Sequence, residues 1–140
     1  MNSAVDSEWS TFIKKLETAE EEFVQGLPAA FLGLWSHSDD VTLCGGFGGV
    51  EHGWQNVTDR LTWVSAKFAE GTRNREEISS FVGIDFAYLV QTEVIRSRVA
   101  DQPEPSTQEL RATMVFRREP DGWRIVHRHA DFQTRTKPPQ

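Results

Sequence analysis

The spacing of hydrophobic positions changes along the chain, from a helical repeat in the first half to strict alternation from Arg75 onward. Residues 6–25 place Trp9, Phe12, Ile13, Leu16, Ala19, Phe23 and Val24 at i, i+3, i+4 and i+7, the signature of one face of a long first helix. Asp6 suits its N-cap, Glu8 the positive end of its dipole and Gly26 its stop. The run Glu20, Glu21, Glu22 fits a solvated helix face. Pro28 then opens a short second helix through about Trp35, because its fixed φ suits a first turn. Phe31, Leu32, Leu34 and Trp35 are expected to pack under a sheet. Val41 to Cys44 makes a short strand. Gly45 to Gly49, GGFGG, fits either a pliable loop over a cavity mouth or a plain turn. After Gly53, a third helix aligns Trp54, Val57, Leu61, Val64 and Phe68. Arg60 and Trp63, three apart, are neighbours at the edge of that stripe, stacked on an exposed rim or lining a pocket.

The alternating half predicts strands at about 75–82, 86–96, 109–118 and 123–131. Gly83-Ile84-Asp85 joins the first pair, and Ala100 to Gln108, with Pro103 and Pro105, makes a mobile hairpin loop. Glu119-Pro120-Asp121-Gly122 closes the last hairpin, since Pro favours the second turn position and Gly the fourth. The final strand, WRIVHRHADF, puts Trp123, Ile125, His127, His129 and Asp131 on one face and Arg124, Val126, Arg128, Ala130 and Phe132 on the other. Helices followed by hairpin-linked strands predict an α+β domain with helices on one face of an antiparallel sheet. One domain over 1–140 is expected, with a core at about 8–132 and a flexible tail at 133–140.

Composition narrows the function classes. At 140 residues with 38% hydrophobic and 26% charged content, the chain is ordinary for a globular protein. Neither a membrane span nor a secretory leader is read in it, and a cytoplasmic location is expected. A single Cys44 excludes an intrachain disulfide and a CxxC zinc site, and fits a buried structural thiol. The net charge of -6 is uneven: residues 1–59 hold 10 acidic against 2 basic side chains, and residues 60–140 hold 11 against 13. Arg111, Arg117, Arg118, Arg124, Arg128 and Arg135 make the C-terminal strands basic, yet an acidic whole without aromatic-basic interleaving argues against nucleic acid. The glycine run matches no nucleotide fingerprint or Walker loop. No cofactor is expected.

The strings VTLCGGFGG, GW..V..RLTW...F and VFRREPDGWRIVHRHAD, set in the order helix, helix, strand, helix and four strands, resemble the SnoaL-like branch of the NTF2-like superfamily. The likeness spans about residues 8–132. It implies a cone in which long N-terminal helices close a strongly curved, mostly antiparallel sheet around a cavity, and a homodimer through the sheet's outer face. The superfamily includes ketosteroid isomerases, polyketide cyclases, dehydratases, hydrolases and non-catalytic association domains, so function rests on the cavity side chains. Ketosteroid isomerase chemistry is not implied: its base falls at Gly45, its oxyanion acid near Met114, and the first helix has no Tyr. The pocket arginines of the calcium/calmodulin-dependent kinase II association domain fall near Val90, Met114 and Ala130. That comparison implies a register in which Tyr88, Val90, Thr92, Met114, Phe116, Val126, Arg128 and Ala130 face the cavity.

The expected ligand pocket therefore comprises Arg60, Trp63, Tyr88, Val90, Met114, Phe116 and Arg128, and a carboxylate, enolate or phenolate suits its guanidinium and aromatic wall. His127 and His129 are candidate general acids or bases, since imidazole titrates near neutrality. With Asp131 they form His-x-His-x-Asp, but alternate strand residues stand about 7 Å apart, wide for chelation, so no metal is expected. Two functions stand open. One is a small-molecule isomerase, cyclase or lyase working by proton transfer; the other is a non-catalytic binding or assembly domain. The homodimer is expected to use Ala87, Leu89, Gln91 and Glu93 with Arg111, Thr113, Val115 and Arg117, faces of mixed character.

Overall fold

A computed structural model describes residues 3–134 and 139. Arg135 and most of the tail expected to be flexible lie outside the described residues. The elements are α1 (Ser3–Phe23), α2 (Ala29–Gly33), β1 (Thr42–Gly45), β2 (Gly48–His52), α3 (Trp54–Ser65), β3 (Phe68–Val82), β4 (Phe86–Val99), β5 (Ser106–Glu119) and β6 (Gly122–Phe132). The α+β class and the curved sheet thus stand as expected. Asp6 lies inside α1 rather than capping it, because the helix begins at Ser3. Gly26 does end it, at φ 84°, a left-handed conformation open to Gly at little cost. Among the described residues no helix is long and apolar enough to cross a membrane.

The six strands run in the order β2-β1-β6-β5-β4-β3, all neighbours antiparallel except β1 with β6. The central position of β6 follows from its apolar residues, since Ile125 is fully buried and its N–H donates to the Leu34 carbonyl at 2.9 Å. Ser36 N–H returns a bond to the Ile125 carbonyl at 2.9 Å, which seats the chain after α2 beside the sheet. Three departures from simple alternation matter. Gly48 and Gly49 belong to β2, so the glycine run is a hairpin rather than an open loop. Phe68 starts a strand instead of extending α3. That strand, β3, begins seven residues earlier than expected because Glu70 (φ 58°) and a register shift between Ala69 and Thr72 break its alternation.

The third departure decides what enters the interior. Val115 pairs with His127 while Phe116 pairs with Ile125, so Val126 has no partner on β5 and forms a bulge. The side chains of β6 change face at that point. Trp123 and Ile125 point into the core before it, and Arg128 and Ala130 point inward after it.

The interior packs α1 and α3 against the concave face through Phe12, Leu16, Trp35, Leu61, Met114 and Phe116. A second cluster joins Val24, Phe68, Ile95 and Leu110. Between them β3 runs close under the end of α1. A Cβ placed on Gly71 would overlap the Val24 carbonyl. Gly71→Ala is accordingly expected to cost about 1–3 kcal/mol, the usual range for overpacking. A lowered urea midpoint at unchanged slope would show it, and an unchanged midpoint would mean that α1 can move away freely.

Candidate functional site

The concave face of the sheet, α1 and α3 enclose a cavity of about 80 Å³. Its walls are mainly apolar, with Phe23, Phe31, Leu43, Leu61, Phe68 and Ile95 among them. Five charged side chains interrupt that surface: Arg60 from α3 beside the β1–β2 hairpin, and a connected set of four, Glu20 from α1, Arg73 from β3, Glu93 from β4 and Arg128 from β6. Each arrives for a local reason. Glu20 stands four residues after Leu16 and eight after Phe12, hence on the buried stripe of α1 and not on its solvated side. Glu21 beside it is exposed. Arg73 is register partner of the inward-facing Ile95, so it shares that face. Glu93 alternates with Leu89, Gln91 and Ile95, all buried. Arg128 is turned inward by the Val126 bulge.

The four groups form one hydrogen-bonded network. Arg128 donates from Nη1 and Nη2 to the two carboxylate oxygens of Glu93, both at 2.8 Å, a fork-on-fork pair. Glu93 Oε2 also receives Gln91 Nε2 at 2.7 Å and stands 3.1 Å from Arg73 Nη2. Arg73 Nη2 donates to Glu20 Oε2 at 2.7 Å. Arg75 extends the network outward to Glu17 and to Gln91 Oε1, the latter at 3.2 Å. One atom is left over: Glu20 Oε1 is buried without a hydrogen-bond partner. Such a group costs about 1–3 kcal/mol unless something meets it.

The two carboxylates are driven apart by their surroundings. Burial pushes Glu20 up to about 7, with the charge of Glu93 adding to the rise and Arg73 only partly opposing it. Burial acts on Glu93 as well, but Arg128 and Arg73 outweigh it and hold that carboxyl far below the usual range. Of the two carboxyls, the pairing of Glu93 with two guanidinium groups favours its ionised form, and the burial of Glu20 favours its protonated form. That division is the one expected of an acid–base site.

The β1–β2 hairpin borders the cavity. Gly45, Gly46 and Phe47 line it, and Arg60 Nη2 donates to the Phe47 and Gly48 carbonyls at 3.3 and 3.2 Å. The glycine run is thus a hairpin whose first three residues line the cavity. Trp63 stands outside the cavity, exposed, between Arg60 and Lys67, whose cations lie 4.3 and 4.0 Å from its ring centroid. Arg60→Ala is expected to raise amide exchange in residues 45–49 about tenfold by freeing the hairpin. Unchanged exchange would show that the strand ladder alone holds it.

Of the side chains expected in the pocket, Arg60 and Arg128 line the cavity. Met114 and Phe116 point inward as expected but are fully buried in the core below it. Tyr88 and Val90 require correction. Ala87, Leu89, Gln91 and Glu93 pair with the buried Phe116, Met114, Ala112 and Leu110, so the opposite set on β4 faces outward. Tyr88 stacks on Phe81 there, with ring centroids 6.3 Å apart. For the same reason Ala87, Leu89, Gln91 and Glu93 are removed from the dimer face on which they were expected. His127 and His129 also lie on the outer face. His127 Nδ1 is 2.7 Å from Thr42 Oγ1, and burial followed by the nearby His129 lowers its pKa. Neither histidine reaches the cavity. Among the described residues no group of three or more His, Cys, Asp or Glu is placed to hold a metal. Glu20, Arg73 and Glu93 escaped the sequence reading; the i+4 and i+8 spacing of Glu20 from Leu16 and Phe12 was the one available signal.

Several solved structures share this architecture. An NTF2-like superfamily protein from Salmonella enterica serovar Typhimurium superposes with TM-score 0.80 at 20% identity, over 96% of this chain and 95% of that one. A protein from Streptomyces avermitilis, provisionally assigned as a dehydratase of the NTF2-like family, gives 0.76 at 21%, covering 95% and 99%. A protein from Thiobacillus denitrificans, provisionally assigned as a calcium/calmodulin-dependent protein kinase type II association domain, gives 0.72 at 19%, covering 89% and 94%. At these identities the likeness carries the fold alone. No curated protein matches in sequence. The model of the SnoaL-like domain matches residues 21–133, from the second half of α1 to just past β6, and the chain belongs to that family.

Proposed function

We propose that the cavity binds a small organic molecule and that Glu20 exchanges a proton with it, as in an isomerase, cyclase or dehydrating lyase. The observation carrying this reading is the unpartnered Glu20 Oε1, buried in a mainly apolar cavity beside Arg73. Protonated, it offers a donor to a carbonyl or leaving hydroxyl; ionised, it accepts a proton from carbon or oxygen. Arg128 and Arg73 supply positive charge beside any negative charge that develops on the substrate. The provisional dehydratase assignment of the Streptomyces neighbour agrees with a reaction of this type. The test is hydrogen–deuterium exchange at carbon in a panel of small carbonyl compounds, followed by NMR in D₂O. Wild-type protein should accelerate exchange for at least one compound, and Glu20→Gln should lose about 10²–10⁴-fold of it. No acceleration, or equal rates in the variant, would end the proton-transfer reading.

A second role, self-association, is supported by the outer face of β3 and β4. Ile78, Phe81, Ile84, Phe86, Tyr88 and Val94 are exposed there or at the connecting turn, more than half of the large exposed apolar side chains among the described residues. Concentrated apolar surface of this kind marks an interaction site. Light scattering should report a dimer, and Phe81→Lys with Tyr88→Lys should convert it to monomer without unfolding. A monomeric wild type at micromolar concentration contradicts the proposal.

A further inference from the structure

We propose that the cavity takes up a small organic monoanion, a short-chain carboxylate, together with one proton that comes to rest on Glu20. This deepens the ligand-binding reading above and rests on it. The first ground is the charge balance. Within the network Arg73 and Arg128 face Glu20 and Glu93, two cations against two carboxylates when all are ionised, and Arg60 is a further cation in the lining outside it. An anion added to that set meets like charge at Glu20, and the opposition disappears if Glu20 is neutral.

The second ground is hydrogen-bond stoichiometry. Glu93 has partners on both oxygens, whereas Glu20 Oε1 has none. A protonated Oε1 is a donor lacking an acceptor, and a carboxylate oxygen supplies one. Arg128 spends two of the five donors of a guanidinium on Glu93 and one on the Met114 sulfur at 3.6 Å, which leaves donors for a second anion.

The third ground is Arg60. It lines the cavity, its guanidinium lies over the Trp63 ring and donates to the two carbonyls of the glycine hairpin, and among the described residues no carboxylate pairs with it. Its charge favours an anion in the cavity. Glu93 is the competing acid beside Glu20, and Arg128 and Arg73 hold it ionised. The helix α1 contributes Glu17, which pairs with Arg75; β3 contributes Arg73 and Arg75; β4 contributes Glu93; β6 contributes Arg128; α3 contributes Arg60; and α2 contributes the uncharged Phe31. The cavity volume of about 80 Å³ is well below the ~300 Å³ at which drug-sized sites begin, and suits a short-chain guest.

Calorimetric titration of the full chain with propionate and with propionamide, at pH 6, 7, 8 and 9, tests the proposal. Propionate is expected to bind, with affinity falling about tenfold per pH unit above neutrality. Runs in two buffers of different ionisation enthalpy should show close to one proton taken up per propionate at pH 8. Glu20→Gln, which mimics the neutral carboxyl, should bind propionate with no pH dependence over this range. Propionate affinity that is flat with pH in the wild type, with no proton uptake, overturns the proposal even if the variant fails to fold. Binding of propionamide alone overturns it too, but leaves the cavity as a site for neutral ligands. If neither binds at millimolar concentration, the ligand-binding reading falls with it.

Discussion

Replacing Glu93 by Gln is expected to destabilise the fold by about 3–5 kcal/mol, the cost of leaving buried charge without its partner. Glu93 is the junction of the network: both nitrogens of the Arg128 fork, Arg73 and Gln91 converge on it, and its side chain is 1% exposed. Without that charge, Arg73 and Arg128 are left with Glu20 alone, 2.7 and 3.9 Å away. Urea denaturation monitored by tryptophan fluorescence would measure the loss. The double variant Glu93→Leu with Arg128→Met removes one charge of each sign and should recover much of it, since apolar replacement of a whole buried pair is often neutral. A loss below about 1 kcal/mol for Glu93→Gln would mean that water reaches the network and the cavity is not dry.

Glu20→Gln should make the protein more stable at pH 8, by about 1–3 kcal/mol, while abolishing proton transfer. The sign follows from burial, which raises the folded pKa of Glu20 from the ordinary 4.5 to about 7. Between those values the native state binds the extra proton, so stability declines as pH rises through the window and stays flat above it. Glu93 acts in the opposite direction. Its folded pKa is depressed, so its contribution is present above the ordinary value and is lost as pH falls below about 4.5. Wild-type stability is therefore expected to peak near pH 5 and fall toward pH 7. Glu20→Gln should keep the acid limb and lose the decline. Thermal melts at pH 5, 6, 7 and 8 give both profiles. Parallel curves would show that Glu20 is ionised throughout and that its free oxygen holds a solvent molecule instead of a proton.

The two variants separate groups that serve different ends in one network. Glu93 holds the cavity walls together from β4 to β6, and Glu20 is the group the walls leave incomplete. A buried carboxyl with an unpartnered oxygen is tolerated only where the rest of the network is well paired.

Local pattern and tertiary contact divide this protein cleanly. Helix spacing, the Gly26 stop, the Pro120-Asp121 turn and the class of fold were legible in the chain, because each depends on neighbours a few residues apart. The long strands were legible too, since alternation needs only the strand itself. The facing of those strands was not. On β4 the set Phe86, Tyr88, Val90, Thr92, Val94 holds one polar residue and Ala87, Leu89, Gln91, Glu93, Ile95 holds two, one of them charged, so hydrophobicity alone chooses the wrong side. The structure buries the set containing Glu93 because Arg73 and Arg128, 20 and 35 positions distant in sequence, neutralise it there. The Val126 bulge was equally hidden, being a mismatch between two strands and a property of neither alone. The pocket followed the same rule: Arg128 and Arg60 were legible as guanidinium groups without their partners, whereas Glu20 gains its meaning only when β3, β4 and β6 close over it.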